Sequence, residues 1–338
     1  MRKYSTRSAA PVGEDSRSTT PRWARRDLVR LARMLAGQPI LVTGASGFIG
    51  RPFVRYLRAG GVSVSALSRT GGGGVRAWQH DLEDDPARLV RRFRRRPPAV
   101  VVHLAAPEPA AAGDTYSLVE QGLRQTEHLL EACLAVSCPP RLVLVSSSAV
   151  YGLGDGRPLT ERHPPAPASY HGVGKLLAEA LVTRASAAEG LPVVRVRPFN
   201  VVGPGQAHGR VLPRMAEQVA RREAGRFEPI MTRDLAGVRD FIDVRDTVMA
   251  LVTLAARGEP GSVYNVCRGH GVRVGDLLEH LLALAGLGDV SVATRGGHGV
   301  DVSVGDPARL RQLGWRPRVP LGQTVRDVLE EWRRHVAR

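Results

Sequence analysis

The sequence predicts an α/β fold built on a doubly wound parallel sheet, with a smaller C-terminal lobe, and three observations carry this. An apolar run, Ile40-Leu41-Val42-Thr43, enters a turn with glycines at 44, 47 and 50, and an amphipathic stretch, Phe53 to Ala59, follows. Strand, glycine turn and helix in that order open a mononucleotide-binding unit of the Rossmann type. Short valine- and leucine-rich runs then alternate with helical patterns as far as about residue 197, the rhythm of a parallel sheet covered on both faces. Finally, 338 residues, 43% of them hydrophobic, suffice for one large α/β core or a nucleotide domain with an added lobe.

After the first strand and helix, Val62 to Leu67 reads as the second strand, ending at Ser68-Arg69 before Gly71 to Gly74. Ala77 to Asp81 reads as a short third strand and Pro86 to Arg96 as a helix. Val100 to Leu104 is an unbroken apolar run, the signature of a strand buried on both faces. A long helix over Ser117–Val136, a strand over Arg141–Ser146, a helix over His171–Glu189 and a strand over Pro192–Arg197 follow. From Pro198 onward Pro and Gly break the pattern, leaving a helix near Pro213–Arg222 and a late one over Gly322–His335. The expected organisation is a disordered basic extension over 1–37, a dinucleotide domain over 38–197, and a substrate lobe over 198–338. Segments near 235–268 are expected to return to the core. Trp23 to Leu35 can form a short basic helix, and Met34 offers an alternative start just before the first strand.

The net charge is +16, and of 48 basic residues only Lys3 and Lys175 are lysine. With abundant Ala, Gly, Val and Pro this is the composition of a strongly GC-biased genome. The densest run, Arg91-Arg92-Phe93-Arg94-Arg95-Arg96, fits a solvated helix face better than a nucleic-acid patch. Cys133, Cys138 and Cys267 have no metal-ligand spacing and read as reduced, buried small hydrophobes of a cytoplasmic protein. No apolar run reaches the ~18 residues that a membrane span needs, so neither a membrane nor a metal enters the expectation.

In the glycine loop, Gly44 permits the tight turn, Gly47 lets backbone N–H groups approach a pyrophosphate, and Gly50 lets the helix pack on its strand. Ser46, Phe48 and Ile49 complete the loop. The end of the second strand sets the cofactor. A carboxylate there holds an adenosine ribose and repels a 2′-phosphate, and an arginine does the reverse. Ser68 followed by Arg69 favours NADP, with NAD possible.

The chain resembles the extended short-chain dehydrogenases/reductases, the family of nucleotide-sugar epimerases, dehydratases and 4-ketoreductases. The resemblance runs from about Pro39 to the C-terminus. It is carried by Thr43 to Gly50, His80-Asp81-Leu82, His103-Leu104-Ala105-Ala106, Ser146 to Gly152, Arg197 to Pro204, Gly237 to Ile242 and Leu313-Gly314-Trp315. It implies that Asp81 faces the adenine and that Leu82, Leu104, Ala105, Ala106 and Pro198 lie against the cofactor. In this family a Ser or Thr, a Tyr and a Lys run the chemistry, and Ser147 and Lys175 fit two of these positions. Lys175 also holds the nicotinamide ribose, and an arginine fork could not readily replace its compact ammonium. The third position departs from the pattern. One helical turn before Lys175 stands His171, with Tyr170 a residue too early. The proton can come from His171, whose imidazole titrates near neutrality, from Tyr170 if the helix start is irregular, or from the substrate itself.

Ser148-Ala149 replaces the acidic pair of the family's dehydratases, which speaks against 4,6-dehydration. The resemblance places Asn200, Arg239 and Arg295 at a nucleotide diphosphate, although Gly296-Gly297-His298 departs from the usual pattern after that arginine. Gly122 stands where an asparagine is common. The expectation is therefore an NADPH-dependent ketoreductase, acting at C4 of a nucleotide-activated 4-keto-6-deoxy sugar in specialised metabolism. It is expected to dimerise through the helices over 117–136 and 171–189. Alternatives are an epimerase with tightly held NAD, a reductase of a polyketide-type ketone, and a catalytically silent cofactor-binding protein.

Overall fold

The computed structural model describes residues 2–3, 33–69, 76–107, 115–154, 156–232, 234–288, 290–294 and 301–337. Arg2–Lys3 forms a two-residue strand, β1. The chain then runs through β2 (Ile40–Thr43), α1 (Gly50–Ala59), β3 (Val64–Ser68), β4 (Arg76–Gln79), α2 (Ala87–Arg95), β5 (Val100–His103), α3 (Tyr116–Leu134) and β6 (Arg141–Val145). A 3₁₀ turn over Ser148–Tyr151 precedes α4 (Tyr170–Glu189), β7 (Val193–Pro198), β8 (Asn200–Val202), α5 (Val211–Glu223), β9 (Ile230–Thr232) and β10 (Val238–Asp243). The remainder is α6 (Val244–Arg257), β11 (Val263–Val266), β12 (Gly271–Arg273), α7 (Val274–Leu284), β13 (Ser291–Thr294), β14 (Val302–Ser303), α8 (Ala308–Gln312) and α9 (Leu321–Val336).

Seven parallel strands form the central sheet in the order β11-β7-β6-β5-β2-β3-β4. The order reverses between β2 and β5, and in such sheets a ligand crevice opens at that switch, beyond the strands' carboxyl ends. Alternation along the strands feeds two cores. Ile40, Val42, Val100, Val102, Val143 and Val194 pack with α1 and α6 on one face. Leu41, Val101, Leu142, Leu144 and Val193 pack with α2, α3 and α4 on the other. Both faces are dry, which is why these strands read as continuous apolar runs. A third core joins α5, α7 and α9 over β9 and β13. Smaller sheets bind that lobe: β10 lies between β12 and β14 and also pairs with β8, while β13 pairs with β1 and β9.

The predicted elements through β7 are present, with ends displaced by up to three residues. Cys138 corrects the expectation of a buried thiol, since it is exposed in the turn between α3 and β6, whereas Cys133 and Cys267 are buried. The arginines of α2 hold an outer face, with Arg92 lying 5.1 Å over the Trp78 ring. Gly71 to Gly74 and most of the N-terminal extension lie outside the described residues. No helix among the described residues is long and apolar enough to cross a membrane.

Candidate functional site

A cleft of about 1180 Å³ opens along the carboxyl ends of β2, β3, β5, β6 and β7. It exceeds the 300–1,000 Å³ of ordinary small-molecule pockets, so it offers room for two ligands end to end.

The glycine loop forms its base. Gly44 has φ +65°, and a Cβ there would lie 2.6 Å from the Ala105 nitrogen. A Cβ on Gly50 would lie 2.1 Å from the Gly44 carbonyl oxygen, so only glycine lets α1 begin this close to the turn. The N-terminus of α1 is thereby aimed into the cleft, a favourable seat for a diphosphate. Thr43 Oγ1 accepts the Ala105 N–H at 3.1 Å and lies 2.7 Å from His103 Nδ1, which ties the ends of β2 and β5 together. Burial, reinforced by the nearby Lys175 ammonium, pushes His103 down to about 3. His103 is therefore a neutral structural group.

Ser68 and Arg69, at the end of β3, line one arm of the cleft with Asp81 and Leu82. The His80 N–H donates to the Ser68 carbonyl at 3.1 Å, and the Glu83 N–H donates to Asp81 Oδ1 at 3.1 Å, which sets the loop after β4. The buried His80 lines this arm too, and no sequence signal beyond its place beside Asp81 marked it.

At the centre, Ser147 Oγ accepts the Ala149 N–H at 3.1 Å and caps the 3₁₀ turn. Ser169 Oγ accepts the Gly172 N–H at 3.1 Å and caps α4. Helix α4 is therefore regular from Tyr170. A Cβ on Gly172 would lie 2.5 Å from the Ala149 carbonyl oxygen, so this glycine allows α4 to press on the turn that carries Ser147. His171 and Lys175, one turn apart, both line the cleft. Tyr170 is 49% exposed and is not among the lining residues. Lys175 Nζ donates to the Val145 carbonyl at 2.9 Å. Burial pulls its pKa down to about 8, against the opposing pull of Glu179.

Behind Lys175, the buried Glu179 takes two hydrogen bonds from Arg197, at 2.9 and 2.6 Å. Arg197 lies 4.7 Å over the Tyr151 ring, and the Tyr151 hydroxyl donates to Asn265 Oδ1 at 2.7 Å. This chain joins α4, β7, the 3₁₀ turn and β11 beneath the centre. Arg197 and Tyr151 lie within motifs that the sequence singled out, whereas Glu179 and Asn265 carried no signal in the sequence.

The other arm is lined by Pro198, Asn200, Gln206, Arg210, Arg239, Phe241, Asp301 and Ser303. Asn200 Nδ2 donates to the Asp240 carbonyl at 3.1 Å, linking β8 to β10. Asp240 is itself buried and accepts the Arg268 and Gly269 N–H groups, each at 2.8 Å. Arg239 pairs with Asp301. Arg295 lies outside the described residues. Among the described residues no group of three or more His, Cys, Asp or Glu side chains is placed to hold a metal ion. Ser46, Gly47, Phe48, Ile49, Leu104, Ala105 and Ala106 complete the wall, so the predicted residues other than Tyr170 and Arg295 meet in one cleft. Glycines that a Cβ would block, a helix N-terminus and a lysine at the centre of the cleft fit a nicotinamide dinucleotide.

Comparison with known proteins agrees with this geometry. The model of the NAD dependent epimerase/dehydratase family matches residues 40–267. The GDP-6-deoxy-D-mannose reductase of Pseudomonas aeruginosa is 31% identical over 320 residues, covering 88% of this chain and 98% of that protein. The dTDP-6-deoxy-L-talose 4-dehydrogenase (NAD(P)(+)) of Kitasatospora kifunensis is 32% identical over 309 residues, covering 86% and 94%. The structure of RMD from Pseudomonas aeruginosa complexed with NADPH matches with a TM-score of 0.79 at 30% identity, over 88% of this chain and 99% of that one. On its glycine loop, its sheet and these matches, the chain belongs to the NAD-dependent epimerase/dehydratase family.

Proposed function

We propose that the protein is an NADPH-dependent ketoreductase whose ketone is C4 of a nucleotide-activated 4-keto-6-deoxy sugar. It acts in the cytoplasm as a homodimer, within a specialised-metabolite pathway. The observation that carries this reading is the meeting of Ser147, His171 and Lys175 beside the glycine loop, with Ser148 and Ala149 where a dehydratase would hold acids. Arg69 at the end of β3 favours NADPH over NADH. The similar reductase and 4-dehydrogenase, both named for 6-deoxy nucleotide sugars, support the substrate class.

When bound, the cofactor supplies hydride to the carbonyl carbon. Ser147 Oγ, already accepting the Ala149 N–H, keeps its own proton to donate to the carbonyl oxygen. His171 gives that oxygen its proton, acting as general acid from the first turn of α4. Lys175 spends one N–H on the Val145 carbonyl, and its remaining donors would hold the nicotinamide ribose. Asn200 and Arg239 hold the nucleotide's phosphates.

The test mixes the protein with NADPH and a nucleotide 4-keto-6-deoxyhexose and follows nicotinamide absorbance. Stoichiometric oxidation is expected, and its absence with NADPH binding intact would refute the sugar substrate. His171→Phe is expected to lower kcat by 10²–10⁴-fold while keeping NADPH affinity. Tyr170→Phe is expected to stay within about threefold of wild type, because that residue is not part of the cleft wall. The reverse order would move the proton donor to Tyr170. Light scattering is expected to give twice the monomer mass.

A further inference from the structure

We infer that Asp301 is an internal stand-in for the substrate's phosphate, and that nucleotides enter the site only by displacing its carboxylate from Arg239. The inference rests on the reading of Arg239 as a diphosphate ligand. Strand β14 lies parallel to β10, with Val238 beside Val302 and Arg239 beside Ser303. The Val238 N–H donates to the Asp301 carbonyl at 2.8 Å, so the Asp301 backbone is fixed on the edge of β10. From there Asp301 engages both ends of the guanidinium fork. Arg239 Nη1 donates to the Asp301 carbonyl at 2.7 Å, and Nη2 donates to Oδ2 at 2.5 Å.

Both side chains line the cleft and are about a quarter exposed, at 27% and 25%. The pair is therefore within reach of a ligand and of water. A guanidinium fork presents planar, paired donors that suit a carboxylate and a phosphate equally. Asp301 already fills that geometry with its carbonyl and carboxylate oxygens. Its main chain is held by β10, but its carboxylate can turn away about the side-chain bonds. A phosphate arriving at Arg239 must either expel the carboxylate or bear its repulsion at short range, where the local dielectric is well below that of water. The device sets affinity: it weakens nucleotide binding, favours product release, and keeps Arg239 ordered between turnovers.

Calorimetric titration of GDP, dTDP and UDP into the NADPH-loaded wild-type protein and Asp301→Asn tests this. Asparagine keeps the side chain's shape and an acceptor for Arg239 while removing the charge, and NADPH affinity in the same sample reports an intact fold. The expected result is about a tenfold lower Kd for the bound diphosphate in Asp301→Asn, a gain that shrinks with added salt. Adding Arg239→Gln to that variant is expected to remove the gain. An unchanged or weaker Kd in Asp301→Asn, with wild type binding the nucleotide, overturns the inference alone and makes Asp301 a positioning residue. If neither protein binds any of the three while both bind NADPH, the nucleotide-sugar reading falls together with it.

Discussion

Replacing Lys175 by methionine should stabilise the cofactor-free protein while abolishing its chemistry. Lys175 is half-buried, and its pKa falls from the ordinary 10.5 to about 8. At 1.36 kcal/mol per pH unit, keeping the ammonium charged in the folded state at pH 7 costs about 3 kcal/mol. The hydrogen bond to the Val145 carbonyl returns about 1 kcal/mol. A methionine of similar length therefore gains about 2 kcal/mol. With an unfolding entropy of about 2 cal/mol/K per residue, this raises Tm by about 3 °C for a chain of this size. The pH dependence is the sharper check. Between pH 8 and 10.5 the unfolded chain holds a proton that folded Lys175 has released, so wild-type stability rises with pH through that window. The variant lacks this rise, so its advantage of about 2 kcal/mol at pH 7 should reverse to a deficit of about 1 kcal/mol at pH 10.5, where only the lost hydrogen bond remains. Calorimetric melts at both values decide it. A less stable variant at pH 7, or an advantage independent of pH, would refute the reasoning.

His103 gives a second pH prediction of its own. Its pKa is depressed from 6.5 to about 3, so below pH 6.5 the unfolded state binds a proton that the folded state refuses, and stability drains as pH falls toward 3. His103→Asn should flatten this part of the stability curve measured by denaturant titration. Two glycines on α4 form a matched pair. Gly172→Ala sets a Cβ 2.5 Å from a backbone oxygen and should cost 1–3 kcal/mol and most of the activity, by lifting the helix from the Ser147 turn. Gly174→Ala meets Val119 at an ordinary 3.5 Å and should leave both nearly intact. Equal effects from the two would sever the link between that packing and catalysis.

The sheet was readable in sequence because strands buried on both faces leave unbroken apolar runs, and the glycine turn marks where the first of them ends. Site residues were readable for a related reason. In a parallel sheet they stand at or just after the strand ends, as Ser68, Asp81, Ala105, Ser147 and Asn200 do. Helix α6 escaped because ten of its consecutive residues, Asp246 to Ala255, are buried, which leaves no polar face to show a period. The strands of the second lobe are two to six residues long and pair over long separations, and no local pattern announces such partners. The Arg239–Asp301 pair spans 62 residues and is visible only once β14 is laid on β10. Whether His171 or Tyr170 faces the cleft turned on a single cap. Ser169 starts α4 at Tyr170 without irregularity, and that phase puts His171, not Tyr170, above Lys175. Cys138 was misplaced because composition alone does not tell a turn thiol from a core one.

The central claim is that this cleft passes hydride from NADPH to a sugar carbonyl. The most direct measurement supplies NADPH carrying deuterium at nicotinamide C4, together with a nucleotide 4-keto-6-deoxyhexose, and locates the label in the product by NMR. The account predicts one deuterium at sugar C4, from one face of the nicotinamide only, and the same label appearing about 10²–10⁴-fold more slowly with His171→Phe. Unlabelled product, or label at another carbon, would contradict it.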